Sequence, residues 1–121
     1  MSVIIRPYDL EDSALFSGSG NGMLAWQPER TVIVLGQSNT PEKSLITGNV
    51  EADKIPVTKR PTGGEAVVLT PRMAVVTIAR EFREMTSSKD FFKVINAIML
   101  DVLSDLGVKN YGTKGISDIT I

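Results

Sequence analysis

The chain has 121 residues, 42% of them hydrophobic, and a formal net charge of −1. That suffices for the core of one ordinary domain, or part of one, and supplies no global field toward nucleic acid or a membrane surface. Neither Cys nor His occurs, which excludes disulfides, a thiolate nucleophile, a Ser-His-Asp triad and the usual zinc sites within these residues. No apolar run is long enough to span a bilayer, and residues 1–7 lack the pattern of a secretory signal, so a cytoplasmic setting is expected.

In chain order the pattern predicts mostly strands first. Residues 3–6 are a short apolar run stopped by Pro7, and residues 9–16 suit a brief helix. Residues 17–22 are a Ser/Gly-rich loop. Residues 23–26 and the β-branched run 31–35, ending at Gly36, are strand candidates. Ser38 or Thr40 is placed to cap a short helix with Pro41 at its first position. Strands are expected over 56–60, 66–70 and 73–79, with Val67, Leu69, Val75 and Thr77 on a largely buried surface.

Apolar residues at Phe91, Ile95, Ile98, Val102 and Leu106, widened by Phe92, Met99 and Leu103, predict a helix over 87–106. Ser87 and Asp90 imitate a capping box, and Gly107 sits where a C-terminal glycine belongs. Residues 116–121 alternate like a strand that needs a neighbour, from this chain or another, which predicts association through it.

The segment Lys59-Arg60-Pro61-Thr62-Gly63-Gly64 is the most informative. Two cations precede adjacent glycines between two expected strands. Glycine admits positive φ and lets another molecule touch the backbone, and successive N–H groups in such a turn can cradle a carboxylate or phosphate. A plain hairpin turn beside a solvated Lys-Arg pair fits the same residues. The pattern leaves both readings open.

This segment and three others resemble the lipoate–protein ligases, within the wider family of biotin and lipoate protein ligases and octanoyltransferases. The family motif has two arginines, two variable positions, three glycines and, after a valine, a His-Asp pair. In the same register stand Lys59, Arg60, Gly63, Gly64, Glu65, Val67 and Leu69-Thr70. An apolar strand followed by glycine and an amide side chain is similar to Val32-Ile33-Val34-Leu35-Gly36-Gln37-Ser38-Asn39. Residues 49–57 resemble the helix and strand leading into the glycine motif, and Lys114-Gly115-Ile116-Ser117-Asp118-Ile119 resembles a later family segment. The match runs in order over residues 26–121.

The resemblance implies an α+β fold, a mixed, mostly antiparallel sheet flanked by helices, like half of a class II synthetase domain. It implies that residues 1–121 are a partial ligase domain without the C-terminal half that carries the family's catalytic lysine, so no catalytic residue is assigned. In the family, the lipoate carboxylate attacks the α-phosphate of ATP, and the acyl group then passes to a lysine of a lipoyl carrier domain. Carried over, Asn39, Arg60, Thr62, Gly63, Gly64 and Ala66 would bind substrate, while Gly64, Lys114 and Asp118 would face the nucleotide, Asp118 with Mg²⁺. Leu35, Trp26 and Val67 could line a groove for the acyl tail, although core positions suit each better. The implied partners are a complementary C-terminal ligase chain or a second copy, and a carrier domain of H-protein or E2 type. The alternatives are an ATP-independent octanoyl or lipoyl transferase and a non-catalytic module that binds lipoate or a carrier domain. Glu65 in place of a glycine, Lys59 in place of an arginine and Leu69-Thr70 in place of His-Asp are departures from the family pattern.

Overall fold

A computed structural model of the chain describes residues 3–18, 21–81, 87–114 and 118–120. It divides into two units, Met1–Glu81 and Phe82–Ile121. The first unit is built on a four-stranded sheet in the order β1-β4-β3-β5. Its strands are β1 (Ile5–Arg6), β3 (Val32–Leu35), β4 (Val57–Lys59) and β5 (Val67–Leu69). The pairs β1–β4 and β3–β4 are parallel, and β3–β5 is antiparallel. A second, antiparallel pair joins β2 (Gly22–Trp26) to β6 (Val75–Ala79). With β7 (Gly112–Lys114) and β8 (Asp118–Thr120) of the second unit, also antiparallel, the described strands are mixed and mostly antiparallel. This is the α+β class expected.

The centre of the sheet follows from the apolar run 32–35. All four residues of β3 are buried, as a strand covered on both faces requires. Ile33 and Leu35 alternate onto one face, where they meet Val57 of β4 and Val50 of the helix α3 (Thr47–Ala52). Leu45, Ile55 and Ala66 pack around that cluster. Short helices α1 (Ser13–Ser17) and α2 (Pro41–Ser44) complete the unit. Thr40 stands at the N-cap of α2 with Pro41 first, as expected, but its hydroxyl makes no capping bond.

Two expectations about this sheet need correction. β4 and β5 do not pair with each other, so the Gly63-Gly64 loop is not a hairpin turn. Both strands pair with β3, from opposite sides. The connection must therefore cross the C-terminal end of β3. Nor is β5 largely buried: Val67 is 44% and Val68 50% exposed within an otherwise β-branched run. It is the last strand in the sheet order, where β propensity reports a fit to the pleat and not burial.

In the second unit, α4 (Ser88–Asp105) is the helix the periodicity predicts. The Ser87 hydroxyl accepts from Asp90 N–H at 3.3 Å. At the other end Gly107 takes φ +84°, and the N–H groups of Gly107 and Val108 donate to Ser104 and Leu103 carbonyls. That is a Schellman stop, satisfying carbonyls the helix leaves over. The half-buried face runs through Phe92, Ile95, Met99 and Leu103, whereas Ile98, Val102 and Leu106 are exposed. The terminal strand does find a neighbour in its own chain: Ile119 sits opposite Thr113 of β7, a strand the sequence pattern does not announce. Gly115, Ile116, Ser117 and Ile121 lie outside the described residues.

Candidate functional site

The crossing of β3 creates the site. Leaving β4, the chain makes one more ladder bond, Arg60 N–H to Leu35 C=O at 3.0 Å, and then turns over Gly36. A Cβ on Gly36 would lie 2.0 Å from the Gly64 carbonyl oxygen and 3.0 Å from Asn39 Oδ1. Only glycine lets the two backbones pass at that distance. Gly64 itself takes φ +100°, and a Cβ there would meet the Arg60 guanidinium at 2.8 Å. Gly63 differs: a Cβ on it would meet nothing within 4 Å.

Three carbonyls of this loop are held by donors beneath it. Thr62 C=O accepts from Gln37 N–H at 2.9 Å. Arg60 Nη2 donates to Gly63 C=O at 2.8 Å and to Glu65 C=O at 2.9 Å, while Nη1 reaches Val34 C=O at 3.3 Å. The peptides are trans, so each N–H points opposite to the preceding carbonyl. Gly64 and Ala66 N–H therefore face away from Arg60, and Gly63 N–H faces away from Gln37. Among the described residues, neither Gly63 N–H nor Gly64 N–H has a partner. Asn39 adds to the set. Its Oδ1 accepts from Gly36 N–H at 2.7 Å, which leaves its amide nitrogen as a further donor. Unmatched donors around exposed glycines beside a guanidinium make an anion site by composition.

Beside the loop lies an open groove of about 520 Å³, walled by Tyr8, Phe16, Gln37, Lys59, Arg60 and Pro61 among others. Its described lining includes no carboxylate. The Tyr8 and Phe16 rings meet edge to face at 5.3 Å. Behind them Asp12, buried at 4% exposure, accepts Tyr8 O–H at 2.6 Å and Thr77 O–H at 2.7 Å, and Trp26 Nε1 donates to the Thr77 oxygen at 3.0 Å. Burial, and then the bond to and charge of Asp12, push the Tyr8 phenol above its ordinary pKa.

Of the residues marked from sequence, Asn39, Arg60, Thr62, Gly63 and Gly64 come together here. Ala66 follows them but packs half-buried against the core cluster. Leu35 and Trp26 are buried, and Val67 is half exposed. Lys114 and Asp118 belong to the second unit, where they stand directly opposite each other in the β7–β8 register. The Asp118 carboxylate lies outside the description. Among the described residues no three acidic, imidazole or thiol groups converge as a cation cage. Sequence reasoning placed Gly36 and Gln37 in a family-like segment without giving them a role, and did not mark Tyr8 or Asp12. Gly36 had a signal, the lone glycine ending a buried strand. Asp12 had none, because its partner Thr77 is remote in the chain.

The family model of the lipoyl protein ligase A/B catalytic domain matches residues 11–121. Comparison with curated protein sequences gives no significant match. Among solved structures, the chain resembles a bipartite lipoate protein ligase from the archaeon Thermoplasma acidophilum, studied with its E2 lipoyl domain, at TM-score 0.78 and 16% identity, covering 99% of this chain and 50% of that one. A T. acidophilum protein assigned as a lipoate protein ligase, with bound lipoic acid, gives TM-score 0.72 at 15% identity, covering 98% of this chain and 57% of that one. A lipoate-protein ligase A bound with ATP gives 0.74 at 17% identity, covering 99% and 51%. The chain thus spans about half the length of each. No described helix is long and apolar enough to cross a membrane.

Proposed function

The chain belongs to the family of lipoyl protein ligase A/B catalytic domains, and on that premise we propose that it forms the acid-binding half of a lipoate-activating site. The observation that carries this reading is the glycine loop, whose Gly63 and Gly64 N–H donors have no acceptor among the described residues. The Gly63 and Gly64 N–H groups and the Asn39 amide receive the lipoate carboxylate, and after it the negative oxygens of the phosphate it attacks. The Arg60 charge raises the potential there even though its donors are committed. The apolar tail lies in the groove against Phe16 and Pro61.

The reaction is then positioning with charge stabilisation. A lipoate carboxylate oxygen attacks the α-phosphorus of ATP, and pyrophosphate leaves. A lysine amine of a carrier domain next attacks the acyl carbon, and AMP leaves. By resemblance to the family, Lys114 and Asp118 of the second unit would serve the nucleotide, and Asp118 would help hold a Mg²⁺ that would offset phosphate charge. The remaining half of the domain, in a longer form of this chain or in a complementary polypeptide, supplies the lysine that stabilises the adenylate. A ligase divided between chains has a precedent in the bipartite ligase that this chain resembles in fold, although the matched chain is itself about twice as long.

Pyrophosphate exchange with lipoate and Mg-ATP, with and without a candidate complementary chain, tests the reading. Exchange that requires both chains supports it. Acyl transfer from a carrier protein without ATP establishes the transferase instead. Lipoate binding with no exchange under either condition leaves a binding module.

A further inference from the structure

We propose that Arg60 is a positioning residue: it shapes the glycine loop and does not itself contact the acid. The inference rests on reading the loop as the lipoate carboxylate site. Its basis is where the guanidinium points. Three main-chain carbonyls, those of Val34, Gly63 and Glu65, take its donors at 2.8–3.3 Å. Two come from the loop and one from the central strand beneath it, so a single planar side chain ties the loop to the sheet. Each captured loop carbonyl turns the following N–H, of Gly64 and of Ala66, the opposite way. The Gly64 and Ala66 N–H groups turn away from the cation because it holds the two carbonyls that precede them, while Gln37 N–H holds that of Thr62.

Gly64 is part of the same device. Its missing Cβ leaves room for the guanidinium, which a methyl would meet at 2.8 Å. The Gly64 carbonyl in turn rests over Gly36. An arginine is needed because a forked, rigid set of N–H groups reaches several carbonyls at once, whereas a lysine ammonium is a compact point charge on a flexible stem.

The decisive variant is Arg60→Lys in the full chain, with Arg60→Gln beside it. In the unliganded protein, the backbone ¹⁵N order parameters of Gly63, Gly64 and Ala66 are expected to fall from the rigid range, about 0.85, to below about 0.6 in both variants. Amides of β3 and β4 and the urea midpoint stay as in the parent chain. Calorimetric titration with lipoate is expected to weaken about tenfold or more in both, because charge alone does not restore the loop. A direct ligand behaves otherwise: Arg60→Lys then keeps most of the affinity and the loop amides stay ordered, and that result overturns the proposal. Should either variant misfold, the parent chain carries the test: the Arg60 guanidinium ¹⁵N–¹H resonances are expected to stay in place on adding lipoate, and a large shift of them overturns the proposal. A parent chain that binds no lipoate refutes the functional reading, while the order parameters still decide the role of Arg60.

Discussion

Two hydrogen-bonding centres in the first unit make an instructive pair. Around Asp12 the accounts close: both carboxylate oxygens accept hydroxyls, Trp26 donates to one of those hydroxyl oxygens, and the carboxylate is almost wholly buried. Around Arg60 they stay open: every bonded loop carbonyl has a donor, yet the Gly63 and Gly64 amides are left over and exposed. A buried network must satisfy its members, since an orphan there costs about 1–3 kcal/mol. An exposed loop can leave donors unmatched because water takes them until a ligand does. The first centre is for stability and the second for recognition.

Substitutions can break that contrast, and the largest effect is expected at Gly36. Gly36→Ala places a methyl 2.0 Å from the Gly64 carbonyl oxygen, so one of the two backbones must shift. It should lower stability by about 3 kcal/mol, the upper range for overpacking, and abolish lipoate binding, as urea unfolding and calorimetry would read. Thr77→Val comes next. It removes the donor to Asp12 and the acceptor of Trp26, and should cost about 1–2 kcal/mol, with a shift in Trp26 emission and unchanged lipoate affinity. A loss of affinity equal to that at the loop would dissolve the distinction between the two centres.

Tyr8→Phe should cost about 1 kcal/mol near neutral pH, and the difference depends on alkali. The fold favours the neutral phenol, so its pKa is raised in the native state. The stability it adds is therefore full below the unfolded value of about 10 and declines as pH rises above it. Urea midpoints of both proteins at increasing pH should converge above that point. The smallest stability effect is expected at Gly63. With no positive φ and no atom within 4 Å of its added methyl, Gly63→Ala should stay within about 0.5 kcal/mol of the parent while still weakening lipoate binding. Unaltered affinity would mean that the acid does not approach that face of the loop.

Local signals read well from the sequence. The buried strand 32–35, the helix of the second unit with its Ser87 cap and Gly107 stop, and the strands around the glycines all stand close to where periodicity puts them. The errors are of one kind. The pattern puts Val67 and Leu69 on a largely buried surface because they favour strands, but propensity does not say which strand is last in a sheet. β7 went unseen because Gly112, Thr113 and Lys114 have no apolar alternation; it exists because β8 pairs with it.

The residues alone determined the element types, the family likeness, and that two adjacent glycines would follow two cations, because period, caps and turn chemistry act over a few positions. Tertiary structure decided that β4 and β5 flank β3 instead of each other, and so that the glycines bridge a strand end and the arginine beneath them takes their carbonyls. Strand order is set by packing between distant segments, and the direction an amide points follows from what its neighbouring carbonyl finds there.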